Sequence, residues 1–310
     1  METVLRFCNE NRIPFRKNEP LFRHSTFRIG GPADLAIFPS RSEQLAELIP
    51  LLDKEGIPRF VAGNGSNVLF ADGGFRGTVL FTAGMDDLSR DGLSVTASCG
   101  VTLTALSRFA CREGLSGAAF LFGIPGSVGG GVYMNAGAYG SEISSVLLSC
   151  SVLFADGSVC DMSNDACGFS YRYSILRETG GIVLSARIGL AEGNRADIER
   201  EMRELLARRS EKQPLEWPSA GSVFKRPARG FAAQMIDECG LKGTRVGGAV
   251  VSEKHAGFIV NTGGASAKDV RKLMEIVSRT VWEKKGVLLE PEIILMDEGE
   301  ERGGSEEWKY

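Results

Sequence analysis

Seven glycines fall between Phe122 and Gly140, in FGIPGSVGGGVYMNAGAYG, and the residues among them include Ala136, Ala138, Ser127 and Asn135. A backbone this bare can do recognition chemistry with its main chain. Without a Cβ, N–H groups can turn toward phosphate or carbonyl oxygens in conformations closed to other residues, and a large flat ligand can lie against them. Pro125 fixes one end of the stretch, and Tyr133, Met134 and Asn135 interrupt it with side chains able to pack or hydrogen-bond. A Gly-rich connector would have the same composition, and composition alone leaves both readings open. On the first reading, valine at Gly129 or Gly130 would intrude on the ligand and force disallowed backbone angles. A second stretch, Gly63-Asn64-Gly65-Ser66-Asn67, also presents bare N–H groups and short polar side chains suited to a pyrophosphate, although such residues make ordinary turns too. Gly126, Gly129, Gly130 and Gly131 do not give G-x-G-x-x-G, and no Gly-Lys pair anchors a Walker-type loop. A nucleotide cofactor bound here would use a pocket unlike the Rossmann turn.

The elements that must position these stretches follow from periodicity. His24 to Pro39 alternates about Gly30-Gly31 as a bent strand or strand pair would. Ser40 and Glu43 read as a capping box for a helix with Leu45, Leu48, Ile49 and Leu52 on one face and its end at Gly56. Strands are expected over 59–62 and 68–70 on either side of the Gly63 to Asn67 loop, then over 93–99, with a helix lined by Leu103, Leu106, Phe109 and Ala110 leading to the glycine stretch. Residues 146–154 and 158–162 flank Asp156-Gly157, a hairpin signal. The stretches 169–174 and 181–190 continue the β-rich unit, and a charged helix over 197–209 marks a boundary. Beyond Pro214 come a helix over 232–239 stopped at Gly240, a second over 268–285 with Val270, Leu273, Met274, Val277 and Val281 on one face, and a strand over 287–295. The polar tail 298–310 reads as disordered.

Composition bounds the function. The chain has 310 residues, 43% hydrophobic and 24% charged, enough for two or three compact units. Glycine, at 39 of 310 residues, is in excess and clustered. A net charge of −3 with no basic stripe argues against a nucleic-acid partner. The seven cysteines form no C-x-x-C and only two histidines are present, so neither a disulfide framework nor a zinc site is indicated, and a reducing cytoplasm is the expected setting. The first twenty residues carry charges throughout, unlike a signal peptide, and the long uncharged run 114–141 is broken by Pro125 and its glycines, unlike a membrane span.

Taken in order, FRIGGPA, GNGSNVL, GIPGSVGGGVYMNAGAYG, SYRYS, PSAGSVFKRP, MIDECGLKG, GGAVVSEKHAGFIVN and LEPEI closely resemble the UDP-N-acetylenolpyruvoylglucosamine reductases of bacterial cell-wall synthesis, from about Phe27 to Ile293. The resemblance implies an α+β fold: a vanillyl-alcohol-oxidase (PCMH) type FAD-binding domain over 27–192, in subdomains of about 27–85 and 86–192, and a smaller α+β substrate-binding domain over 205–297. It also implies FAD and NADPH as cofactors, a UDP-sugar substrate, no membrane partner, and a monomeric cytoplasmic enzyme. Gly63, Asn64, Gly65, Ser66, Asn67, Val68, Pro125, Gly126, Ser127, Gly129, Gly130, Asn135, Ala136 and Gly137 are the expected cofactor contacts.

By the same resemblance Arg172 in SYRYS holds the substrate carboxylate, Ser222 in AGSVFK donates a proton, and Glu292 in LEPEI orients or stabilises charge during that step. Lys212, Lys225 and Arg226 are candidates for the UDP pyrophosphate. Read without the family, Arg172 is a stacking partner between tyrosines, Ser222 a turn residue, and Glu292 a carboxylate at a strand end. The chain departs from the family's commoner pattern at Ile294, Arg226 and Asn64. Only 50 positions (222 minus 172) separate Arg172 from Ser222, which fits the subclass without an inserted tyrosine-bearing loop. Another FAD dehydrogenase or oxidase, and a catalytically dead flavin- or nucleotide-sugar-binding module, are the competing readings; AGSVFK with LEPEI, and the joint presence of Arg172, Ser222 and Glu292, argue against them.

Overall fold

A computed structural model describes residues 1–297. The tail over 298–310 lies outside the described residues. Packing divides the chain into two compact units that are not consecutive stretches. The first contains Met1–Lys17, Leu35–Asn64 and Gly77–Arg209; the second contains Asn18–Asp34, Gly65–Arg76 and the chain from Ser210 onward.

In the first unit a five-stranded antiparallel sheet runs in the order Val159–Ser163, Leu147–Leu153, Ile182–Gly189, Ser94–Ser98, Leu88–Asp91. Its first two strands are the expected hairpin: Gly157 adopts φ 84°, and Asp156 Oδ1 accepts from the Ser158 amide at 2.9 Å, so the turn is closed by the residues that signalled it. The helix Leu103–Arg112 is capped by Thr102, whose hydroxyl accepts from the Ala105 amide at 3.0 Å. The short helix Val128–Tyr133, inside the glycine stretch, packs on the strand Ile182–Gly189. Leu45, Leu48, Ile49 and Leu52 are fully buried, as the helix Ser42–Lys54 required.

The capping box differs from expectation. The helix starts at Ser42 behind Arg41, and the reach-back contact is Gln44 Oε1 accepting from the Ser40 amide at 2.8 Å. The stretch 169–174, expected to continue the β-rich unit, is a tight turn closed by one antiparallel bridge, in which Ser170 and Tyr173 exchange backbone hydrogen bonds of 3.1 Å in both directions.

The second unit packs the helix Ala267–Lys285 on a three-stranded antiparallel sheet of Arg245–Val246, Ala249–Val251 and Ile259–Asn261. Ser266 and Asp269 form a reciprocal capping box, and Gly286 ends the helix at φ 66°. Val270, Leu273, Met274, Val277 and Val281 share a core with Phe27, Leu69, Val223 and Ile293. The strand expected over 287–295 is reduced to Ile294–Leu295, which pairs in parallel with Val68–Leu69. Its first half is instead taken up by residues 223–225, through the bridge of Pro291 to Phe224 and the backbone bonds on either side of it.

Candidate functional site

The glycine stretch and the first half of the polar loop meet within the first unit. A Cβ on Gly63 would lie 2.1 Å from Ser127 Oγ, so only glycine lets the loop approach the start of the helix Val128–Tyr133 so closely. Ser127 is buried, and its hydroxyl accepts from the Gly130 amide at 3.4 Å. The two adjacent helical glycines differ. A Cβ on Gly129 would lie 2.8 Å from Cys99 Cβ, whereas one on Gly130, which is exposed, would meet only Ser127 Oγ at 3.6 Å. Neither has a positive φ, so the expected backbone strain on substitution is absent at both. Gly130 therefore offers open main-chain surface beside a buried hydroxyl, a face that fits the flat cofactor the glycines suggested. Cys99, behind this wall, has its thiol pushed up to about 11 by burial and stays neutral.

Asn135 is 1% exposed and has φ 44°. Its amide nitrogen donates to Glu142 Oε2 at 2.8 Å and to the Ser170 carbonyl at 3.0 Å, and its oxygen accepts from the Ser144 amide at 3.1 Å. This side chain is spent on protein; any cofactor contact by Asn135 would be through its backbone. Pro125, Gly126, Ala136 and Gly137 flank the short helix, with the Gly126 carbonyl accepting from the Leu103 amide.

The consequence of the Asn135 network is the placement of Arg172. This residue sits at the tip of the Ser170–Tyr173 turn with φ 55°, a left-handed conformation costly for a side chain of its kind. The turn is held by Asn135 on Ser170, by Ser174 Oγ donating to the Tyr133 carbonyl at 2.7 Å, and by Arg177 donating to the Arg172 carbonyl at 3.2 Å. The Arg172 guanidinium lies 5.2 Å from the Tyr171 ring centroid, and its Nη2 reaches the Gly137 carbonyl at 3.5 Å. The stacking partner expected from the residues alone is present, and the arginine also borders the glycine stretch. Glu142, Ser174 and Arg177 were not singled out from sequence, since no local pattern marks a residue that supports a distant turn.

In the second unit, Gly65 has φ 57° and its Cβ position falls 2.1 Å from the His24 carbonyl, so this loop residue must be glycine. Ser66 and Asn67 are half-buried, Val68 is buried, and the loop leads directly into the strand Val68–Leu69.

Ser222 and Glu292 come onto adjoining segments of the same unit. Ser222 bridges antiparallel to Phe258, and Val223 donates its amide to the Gly257 carbonyl at 2.9 Å. On the other side the Glu292 amide donates to the Val223 carbonyl at 2.7 Å and the Lys225 amide to the Glu290 carbonyl at 2.8 Å. These two bonds flank the Phe224–Pro291 pair, where an antiparallel ladder asks for no N–H, so proline is tolerated there. Beyond it, Ile294 donates to the Asn67 carbonyl at 2.9 Å and Met296 to that of Leu69 at 3.0 Å. Four sequence-distant segments thus form one hydrogen-bonded run, with Ser222 and Glu292 in its middle.

Two of the three cations expected near the pyrophosphate, Lys225 and Arg226, have partners within the protein. Lys225 Nζ pairs with Glu290 Oε2 at 3.1 Å, and Arg226 stacks over the Phe231 ring at 4.2 Å. Lys212 ends the helix Arg195–Lys212 and is exposed. His255 meets Phe258, the bridge partner of Ser222, edge-on at 5.0 Å; its Nδ1 accepts from the Gly257 amide at 3.2 Å, and burial holds its pKa below the ordinary value.

The chain is similar to known proteins over most of its length. Residues 213–296 match the family described as UDP-N-acetylenolpyruvoylglucosamine reductase, C-terminal domain, and residues 33–163 match the FAD binding domain. The UDP-N-acetylenolpyruvoylglucosamine reductase of Streptococcus pneumoniae (strain JJA) is 46% identical over 286 residues, 92% of this chain and 95% of that protein. The crystal structure of the UDP-N-acetylenolpyruvylglucosamine reductase from Thermus caldophilus aligns with a TM-score of 0.78 and 36% identity, covering 92% of this chain and 99% of that one. The fold class is α+β, with an FAD-binding domain and a smaller C-terminal domain.

Proposed function

The chain belongs to the UDP-N-acetylenolpyruvoylglucosamine reductase family, and from that premise we propose that it reduces the enolpyruvyl ether of UDP-N-acetylglucosamine to the lactyl ether of UDP-N-acetylmuramate. It is an oxidoreductase and flavoprotein of peptidoglycan precursor synthesis, with FAD and NADPH as its cofactors. The working division is an FAD domain over 27–192 and a substrate domain over 205–297. The reaction is assigned to a monomer in the cytoplasm, where NADPH and a charged nucleotide sugar are both retained.

Reducing an enol ether conjugated to a carboxylate needs a hydride at the vinyl terminus, a place for the enolate-like charge, and a proton at the adjacent carbon. FAD, when bound, would supply the hydride chemistry that the first of these needs. Gly63 to Val68, with Pro125, Gly126, Ser127, Gly129, Gly130, Asn135, Ala136 and Gly137, would hold it, Asn135 through its backbone only. Arg172 binds the substrate carboxylate with its planar fork and disperses the developing charge. Its pinned, left-handed turn supports this role, because strain of that kind persists where the surroundings impose it. Ser222 Oγ–H gives its proton to the substrate carbon, which is basic enough to take it when the two are held in contact. Glu292 orients the groups of this step or stabilises charge during it. Lys225 and Arg226 exchange Glu290 and Phe231 for the pyrophosphate, and Lys212 adds positive charge.

The observation that carries this reading is the 2.7 Å bond from the Glu292 amide to the carbonyl of Val223, which sets the two residues of the protonation step on adjoining segments. The test is anaerobic. NADPH should bleach the flavin of the loaded protein, and the enolpyruvyl substrate should restore its colour. Flavin that NADPH leaves oxidised, or that stays bleached after substrate, would overturn the assignment.

A further inference from the structure

Asn67 stands at the end of the polar loop, yet its side chain is directed to Glu292. Asn67 Nδ2 donates to the Glu292 carbonyl at 3.3 Å, and the Asn67 carbonyl accepts from the Ile294 amide at 2.9 Å. The parallel backbone ladder pairs Val68 with Ile294 and Leu69 with Leu295. The asparagine side chain adds a rung at Glu292 beyond those backbone pairs. On the opposite edge, the Glu292 amide is taken by the Val223 carbonyl. The Glu292 peptide is therefore gripped from both sides, by the neighbour of Ser222 and by the last residue of the loop. Pro291, immediately before it, has its own φ fixed by the ring, which stiffens the chain leading into Glu292. All of these residues lie in one compact unit.

We propose that Asn67 is a positioning residue for the protonation step, one that keeps Glu292 in register with Ser222 and couples that register to the order of the loop end over 65–67. The proposal rests on the roles given above to Ser222 and Glu292 and deepens them. One hydrogen bond from a neutral amide is too little to decide whether the chain folds. It is enough to decide chemistry, since a displacement of about 1 Å at a reacting group can cost about 10²-fold in rate. Because the same residue ends the loop expected to hold FAD, cofactor binding and the placing of Glu292 become one event.

The test compares the FAD-loaded full chain as wild type, Asn67→Ala, Asn67→Asp, Glu292→Gln and the Asn67→Ala/Glu292→Gln double variant. Flavin reduction by NADPH and reoxidation by substrate are followed per bound flavin. The ratio of reoxidation to reduction should fall about 10- to 100-fold in Asn67→Ala. It should fall further in Asn67→Asp, whose carboxylate would face the Glu292 carbonyl. Adding Asn67→Ala to Glu292→Gln should change the ratio little, because the two act as a unit. An unchanged ratio in Asn67→Ala, or losses that multiply in full in the double variant, would overturn the proposal. Hydrogen exchange over 290–296 gives a readout without turnover: loading with FAD should slow it in wild type and not in Asn67→Ala. Should that variant fail to take up flavin, the apo proteins decide, with faster exchange over 290–296 in Asn67→Ala supporting the clamp and equal exchange overturning it. A wild-type protein that neither bleaches nor recovers would sink the proposed function instead, and the exchange comparison would still judge Asn67.

Discussion

The Glu292 amide donates to the Val223 carbonyl at 2.7 Å. This bond places Glu292 beside the segment that begins with Ser222, although the two residues are 70 positions apart (292 minus 222). A serine hydroxyl is a weak acid, so a role in proton transfer depends on such placement more than on its intrinsic pKa.

Replacing Ser222 with alanine should therefore separate the half-reactions. NADPH should still reduce the flavin at near-normal rate, while reoxidation by substrate should slow by about 10²–10⁴-fold, the range typical of a positioned general acid. Glu292→Gln should show the same asymmetry, and the two losses should not multiply in the double variant. Stopped-flow absorbance of the flavin reads both steps. Equal slowing of the two would return Ser222 to the status of a turn residue.

Gly130→Val and Gly129→Val should differ. Gly130 is exposed, helical, and open to a Cβ, so its valine variant should lose flavin while its urea midpoint stays near wild type. At Gly129 the added Cβ would fall 2.8 Å from Cys99 Cβ, and both flavin content and midpoint should drop. Retention of full flavin by Gly130→Val would show that the cofactor does not cover this face.

Asn135→Ala should destabilise the first unit and loosen the turn that carries Arg172. Removing the side chain leaves buried partners unsatisfied, at about 1–3 kcal/mol, and alanine at φ 44° adds about 1–2 kcal/mol. Asn135→Gly should recover the backbone part alone. Urea unfolding measures both, and an unchanged midpoint in Asn135→Ala would show that the network contributes nothing.

His255 predicts a pH dependence. Burial lowers its pKa in the folded chain, whereas the unfolded chain titrates near the ordinary value of about 6.5. Below that value the unfolded state binds more protons, so stability rises with pH there. The contribution is complete above about 6.5 and is lost as the pH falls toward the depressed folded value. The urea midpoint should thus drop more between pH 7.5 and 5.5 in wild type than in His255→Gln. Parallel drops in the two proteins would refute the assignment.

Elements whose signals are local were legible in the residues. The helix Ala267–Lys285 was expected from one apolar face and the glycine after it, and the hairpin at Asp156-Gly157 from its turn chemistry. The family was legible because eight short motifs stand in order, although each alone is an ordinary turn or strand end.

The misread elements depended on partners. The 169–174 stretch has strand-forming tyrosines, but Ser170 and Tyr173 bond to each other. Residues 287–292 have no strand of their own, and their hydrogen bonds go to Val223, Lys225, Ser278 and Asn67. Asn67 and Asn135 read from sequence as polar residues in cofactor loops, and any such residue would have read the same. Their side chains were assigned by tertiary structure, which brought Glu292, 225 positions away, and Ser170, 35 positions away, within hydrogen-bond reach. Periodicity and turn chemistry act over a few neighbours, and so they determined where helices and turns form. A buried amide takes whatever acceptor the packed chain brings to it, and only the folded structure could decide which one.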